Sequence, residues 1–105
     1  MLILSTKLKN ALNKTGAELR FNLKNINVNG VKRGCSGFII NEHTGTVVYV
    51  NTEMCIPYGY MYRFADNDRD YTGYHNRWAE TLDDLISGIS ACLKSSPQAQ
   101  NDRRI

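Results

Sequence analysis

The sequence contains few of the residues that mark specialised protein classes. Its 105 residues include only two prolines, and no apolar run approaches the roughly 20 residues that cross a bilayer. The apolar opening Met1–Leu4 lacks the basic and extended apolar regions of a secretory signal. With 42% apolar and 22% charged residues, the composition is typical of a folded domain. We therefore expect a soluble, cytoplasmic single domain over residues 1–96, followed by a flexible polar tail over residues 97–105.

The three cysteines, Cys35, Cys55 and Cys92, are odd in number and form no C-x-x-C pair. This spacing argues against a disulfide framework and against structural zinc, which needs about four clustered ligands. Cys92 falls beside an apolar helical stripe, so we expect it to be buried. Cys35 lies in the run Gly34–Gly37, which either places a reactive thiol on an accessible turn or marks a bulge in a twisted strand. We predict no catalytic residue, no metal and no cofactor, and keep a cysteine-dependent enzyme at Cys35 as an alternative.

Acidic residues are scarce in the first third of the chain. Residues 1–35 hold seven basic side chains and one acid, Glu18, whereas residues 36–93 hold eight acids and three arginines. The net charge of +3 therefore combines a basic first third with an acidic remainder. Folding either intermixes these charges on an ordinary surface or separates them into a basic and an acidic region.

Two segments show the spacing of three and four residues that is typical of amphipathic helices. The first runs from Leu4 to Thr15 and has a left-handed stop available at Gly16. The second begins after Thr81, which forms a capping pattern with Asp84. Its apolar stripe consists of Leu82, Leu85, Ile86, Ile89 and Leu93. Each helix therefore has one apolar side to pack against another layer.

Between the helices, apolar residues recur at every second position, as in half-buried strands. The first such strand begins near Leu19, and a change of apolar phase predicts a bulge near Lys24–Asn25. Asn29–Gly30 predicts a two-residue hairpin turn. Further strands are expected over Val31 to Ile40, Thr46 to Asn51 and Tyr60 to Phe64. The order α-β-β-β-β-α predicts an α+β fold, with both helices on one face of an antiparallel sheet of three to four strands.

The segment 66–78 is polar, has no sustained period and is predicted to be a long loop. It combines acids with Tyr, Arg and His side chains, and Tyr and Arg are enriched at binding hot spots. We expect Trp78 to fold back and cap the sheet edge. The residues predicted to bind a partner are Asp66, Asp68, Arg69, Asp70, Tyr71, Tyr74, His75 and Arg77.

The acids of this segment alternate as in the first half of a calcium-binding loop. Such a loop needs glycine at its sixth position and glutamate at its twelfth, where this chain has Tyr71 and Arg77. The segment is therefore not an EF-hand, and we expect a solvated acidic loop.

The sequence favours a non-enzymatic binding or inhibitor protein that docks on a protein partner through the 66–78 loop. The acids would face a basic, nucleic-acid-binding surface of that partner. Small size, the lack of a catalytic constellation and 11 asparagines make the chain similar in type to phage and mobile-element accessory proteins, including anti-CRISPR and other anti-defence inhibitors.

The alternative is a single-stranded nucleic-acid-binding protein. Its bases would stack on Tyr60, Tyr62 and Phe64 on an open sheet face. Its phosphates would meet a basic track formed by Lys7, Lys9, Lys14, Lys24, Lys32 and Arg33.

Overall fold

An antiparallel sheet carries two helices on one face and a chain connection on the other. The computed structural model describes residues 4–16, 18–28, 30–52, 59–71, 73 and 75–95, with side chains at all of these except 27, 28 and 31–33. Cys55, Tyr74 and the tail 97–105 lie outside the described residues. The elements are α1 (Leu4–Asn13), β1 (Leu19–Val28), β2 (Val31–Asn41), β3 (Val47–Asn51), β4 (Tyr60–Ala65), β5 (Arg77–Ala79) and α2 (Leu82–Lys94).

The sheet is a meander, in which the strands lie in their sequence order β1-β2-β3-β4-β5. This confirms the predicted α+β fold and adds one strand to it. The loop prediction is wrong at its end, because Trp78 pairs with Met61 and Arg77 pairs with Tyr62 in the short strand β5. A strand of three residues is too short to show the alternation from which strands are recognised in a sequence.

The β1–β2 hairpin forms around the predicted turn, with Val28 paired to Val31 and Gly30 at a φ of +82°. The bulge does not lie at Lys24–Asn25. The register shifts between Ile26 and Asn27, which pair with Gly34 and Lys32, so the extra residue belongs to β2. β1 itself pairs regularly through Ile26, so the change of apolar phase places Ile26 on the same face as Lys24. The extra residue in β2 could not be inferred from the apolar pattern of β1.

The main core lies between the helices and the first face of the sheet. Both helices bury apolar stripes there, and α2 begins as predicted, since the Asp84 N–H donates to the Thr81 hydroxyl at 3.1 Å. Neither of the two described helices is long and apolar enough to cross a membrane. The buried residues at this core include Leu8, Leu12, Ile39, Val48, Val50, Phe64, Leu85, Ile89 and Leu93.

Opposite the helices, the second face of the sheet holds a smaller core. Strand pairing aligns its side chains in cross-strand rows. The central row is Asn22, Phe38, Tyr49 and Arg63, and the outer row is Lys24, Ser36, Asn51, Met61 and Trp78. The buried apolar residues of this face are Phe38, Ile40, Val47, Tyr49, Met61 and Ala65.

A substitution at Gly37 should destabilise the fold strongly. Gly37 has a φ of +143°, and a Cβ there would collide with the backbone carbonyl oxygen of Asn22 in β1. We expect Gly37→Ala to lower the free energy of unfolding by about 3 kcal/mol. Gly45→Ala is the matched control, because Gly45 also has a positive φ but open space around it, and it should cost about 1 kcal/mol. Urea unfolding of both variants checks this; equal losses would contradict the proposed collision.

Candidate docking surface

The described residues of the connection between β4 and β5 (66–71, 73, 75 and 76) fold back over the second face of the sheet. Its Tyr71 ring lies 5.1 Å from the ring of Phe38 in β2 and 6.0 Å from that of Tyr49 in β3. Its Asp68 carboxylate lies 3.5 Å from the Arg20 guanidinium in β1. The connection thus contacts β1, β2 and β3, and it helps to cover the smaller core.

Arg63 holds this connection in place. Its side chain is 2% exposed, and its guanidinium donates to the backbone carbonyl oxygens of Phe64 and Asp70. The Asp70 carboxylate lies 3.5 Å from the same guanidinium and accepts the Asp66 N–H at 2.9 Å. The Tyr49 ring stacks 4.6 Å from the guanidinium carbon, a cation–π contact. A buried cation is stable only when it is paired and hydrogen-bonded in this way, so the pairing determines where the connection lies.

The prediction that all acids of this segment are solvated is therefore wrong for Asp70. Its side chain is 11% exposed and its charge is balanced by Arg63 within the chain. Asp68 is partly covered and lies near Arg20, which also pairs with Glu42 at 2.9 Å. Asp66 remains exposed.

Among the described residues, two large apolar side chains are exposed on this face. Tyr71 is 59% exposed at the surface of the connection, and Trp78 is 44% exposed at the end of the outer row. Trp78 does not cap the sheet edge from a loop, as predicted, because it belongs to the edge strand β5 itself. We define Tyr71 and Trp78 as the aromatic surface of the second face.

The other predicted partner-binding residues divide between this face and the opposite one. Arg69 and His75 are exposed on the connection, and His75 has a left-handed φ of 63°. Arg77 is not part of this surface: it pairs with Tyr62 on the helix-covered face and stacks 5.2 Å from the Phe64 ring. The strand alternation that separates Arg77 from Trp78 could not be applied to a segment predicted to be a loop.

The aromatic platform expected for nucleic-acid binding is absent from the open face. Phe64 is part of the main core, and Tyr60 and Tyr62 pack against that core from the same side. Among the predicted basic residues, Lys7, Lys14 and Lys24 are exposed and Lys9 is partly covered. The side chains of Lys32 and Arg33 are outside the described part of the structure.

Cys35 does not lie on an accessible turn, as a reactive thiol would require, because it is fully buried in β2 and belongs to the main core. Cys92 is buried in α2, as predicted. Within the described ranges, no three His, Cys, Asp or Glu side chains come together in a group that could hold a metal ion. A cleft of about 220 Å³ lies between the C-terminal ends of the two helices, but the Asn41 amide at its wall already donates to the Leu93 carbonyl.

Removing the Arg63 charge should destabilise the protein. We expect Arg63→Met to lower the free energy of unfolding by about 3 kcal/mol, because Asp70 is left covered without its counter-charge. Arg69→Met, in the same connection but exposed, should change it by less than about 0.5 kcal/mol. Urea unfolding followed by the fluorescence of Trp78 measures both, and similar losses in the two variants would contradict the anchoring role.

Alkaline pH should test the burial of Tyr62. Burial, together with the neighbouring Cys92, raises the pKa of Tyr62 above its ordinary value of 10, and Arg77 opposes this shift. The stability that Tyr62 contributes is therefore fully present below pH 10 and is lost as the pH rises through the raised folded-state pKa. Between about pH 9 and pH 11, Tyr62→Phe should lose less stability than the unmodified chain. If the free energy of unfolding of Tyr62→Phe and that of the unmodified chain fell in parallel over this range, Tyr62 would not be the group that causes the loss of stability.

Comparison of the chain with protein-family models, with curated protein sequences and with solved structures finds no match.

Proposed function

We propose that this protein is a non-catalytic binding protein that docks on a protein partner through the aromatic surface of its second face. The observation that carries the proposal is the exposure of Tyr71 and Trp78 on a face whose core side chains, among them Phe38, Tyr49 and Met61, are buried. Tyr and Trp dominate binding hot spots because each combines a large apolar area with a polar atom.

Preorganisation supports this proposal. Tyr71 directly follows Asp70, whose carbonyl and carboxylate are both held by buried Arg63, and its ring packs edge-on against Phe38. Trp78 is fixed in a paired strand opposite Met61. A surface that is ordered before binding loses less conformational entropy in the complex, which increases affinity.

Exposed acids that neighbour the aromatic surface in the sequence favour a basic partner. Asp66 is exposed on the connection and Glu80 directly after β5, although Arg69 on the connection is exposed as well. Asp83 and Asp84 add negative charge on α2, on the other face of the sheet. Exposed acids attract a positively charged patch and accelerate association. More specifically, we propose that the protein is an inhibitor similar to the accessory proteins of phages and mobile elements, of the anti-CRISPR or another anti-defence type. It would act in the cytoplasm and occupy a basic nucleic-acid-binding surface of its target.

Truncation of the aromatic surface should abolish partner binding without unfolding the protein. We compare capture from a lysate of the natural host by the unmodified chain, by Tyr71→Ala/Trp78→Thr, and by the control Lys7→Ala/Lys14→Ala. Threonine retains the strand preference of position 78. The aromatic variant should bind a true partner at least about 30-fold more weakly, which corresponds to a loss of about 2 kcal/mol of binding free energy at a hot spot.

The control variant should retain that partner, because Lys7 lies on α1, on the other side of the sheet, and Lys14 lies in the turn directly after α1. Partners purified in this way are then measured by titration against all three proteins. If no protein distinguishes the unmodified chain from the aromatic variant, or if the control variant loses the same protein, the aromatic surface is not the docking site.

A further inference from the structure

The outer edge of β1 is the long open edge of the sheet. β1 has ten residues and stands first in the strand order, so that only β2 pairs with it in the described part of the chain. The opposite edge, β5, has three residues. An open edge of this length presents a row of backbone donors and acceptors that a further strand can pair with.

The side chains of β1 continue both faces of the sheet to this edge. Leu19, Phe21 and Leu23 form an apolar row on the helix-covered face and are only half-buried, since β1 has no outer neighbour in the described ranges. On the second face, Asn22 and Lys24 are exposed. An added strand would complete the apolar row with every second side chain and meet polar and basic groups with the others.

The charge along this edge is uneven. Lys24 is exposed on β1 on the second face, whereas Lys7 on α1 and Lys14 just after α1 are exposed on the helix-covered side, where α1 packs against β1 and β2. At the start of the strand the charges are more balanced, because Glu18 is exposed and Arg20 is already paired within the chain. None of these three lysines forms an ion pair with another described residue. The chain therefore offers unpaired positive charge on both sides of the same backbone edge.

We propose that the β1 edge binds an extended acidic segment of a partner protein as a sixth strand, with alternating apolar and carboxylate side chains. The apolar residues would lie beside Phe21 and Leu23, and the carboxylates would face Lys24. Backbone pairing would supply affinity, and the apolar and polar side chains on the two faces of β1 would supply specificity, as in other cases of strand addition. This site is independent of the aromatic surface.

The same features disfavour the other occupants. A second copy of β1 contains no Asp or Glu between Leu19 and Val28, so it would offer Lys24 no carboxylate. A nucleic acid would use the lysines, but it has no amide backbone to pair with β1 and no alternating apolar side chains to cover Phe21 and Leu23. An acidic strand is the occupant that uses all three features.

The experiment uses the full chain and a synthetic ten-residue peptide of alternating glutamate and valine. Controls are a peptide of alternating lysine and valine, a peptide of alternating glutamate and glycine, and a thymidine oligonucleotide. Binding is measured by titration at low salt, and amide exchange shows where each probe binds. We expect only the glutamate–valine peptide to protect every second amide of β1, because the intervening amides already face β2.

Charge reversal at the edge should weaken the binding of the glutamate–valine peptide. Lys24→Glu should raise its Kd about tenfold or more, whereas Ser87→Glu/Ala91→Glu, the same change in net charge on the exposed side of α2, should leave it within about twofold. Tyr71→Ala/Trp78→Thr should bind the peptide as the unmodified chain does, which separates this proposal from the proposed function.

Several results would overturn the proposal. They are no peptide binding at about 1 mM, equal binding of the lysine–valine peptide, an equal effect of the α2 control, or protection outside β1. Oligonucleotide binding that depends on Lys24 without β1 protection would assign the lysines to nucleic acid. Protection of β1 amides that grows with protein concentration alone would instead identify a second copy as the occupant.

Discussion

The second face of this sheet depends on the burial of one guanidinium. Arg63 projects from β4 into a layer of Phe38, Tyr49 and Met61, where an isolated cation would be strongly disfavoured. The β4–β5 connection supplies the Asp70 carboxylate and carbonyl that make this burial possible. The connection must therefore return across the sheet, and that return places Tyr71 over Phe38. The exposed position of Tyr71 is a consequence of satisfying Arg63.

Apolar residues at positions 63 and 70 together would fill the same space, and buried ion pairs are often no more stabilising than well-packed hydrophobic residues. The ion pair instead determines where the β4–β5 connection lies on the sheet. Apolar contacts tolerate sliding of a connection, whereas a guanidinium that donates to both a carbonyl and a carboxylate of Asp70 fixes one placement. A surface that depends on the orientation of Tyr71 benefits from such fixation more than from additional stability.

The helices and strands of this fold can be predicted from the sequence more reliably than which face of each strand the helices cover. Both helices and the strands β1 to β4 follow from periodicity, capping and the Asn29–Gly30 turn, because these signals are local. Alternation at Tyr60 and Tyr62 shows that one side of β4 is apolar, but it does not show which side the helices cover. Arg63 alternates with these tyrosines and lies on the other side of β4, where it is buried because Asp70 comes from the connection. No local pattern contains that contact.

The charge pattern gains meaning from the meander. Since strand order equals sequence order, the basic first third of the chain lies in α1, β1 and β2, and the acids after Asp66 lie in the β4–β5 connection, after β5 and in α2. The Arg20–Asp68 contact is the point where the two regions meet. Lys24 and Trp78 are at opposite ends of the outer row, four strand spacings or about 19 Å apart. A partner at one end therefore leaves the other accessible, and surfaces of opposite charge at the two ends favour different partners over two copies of the same one.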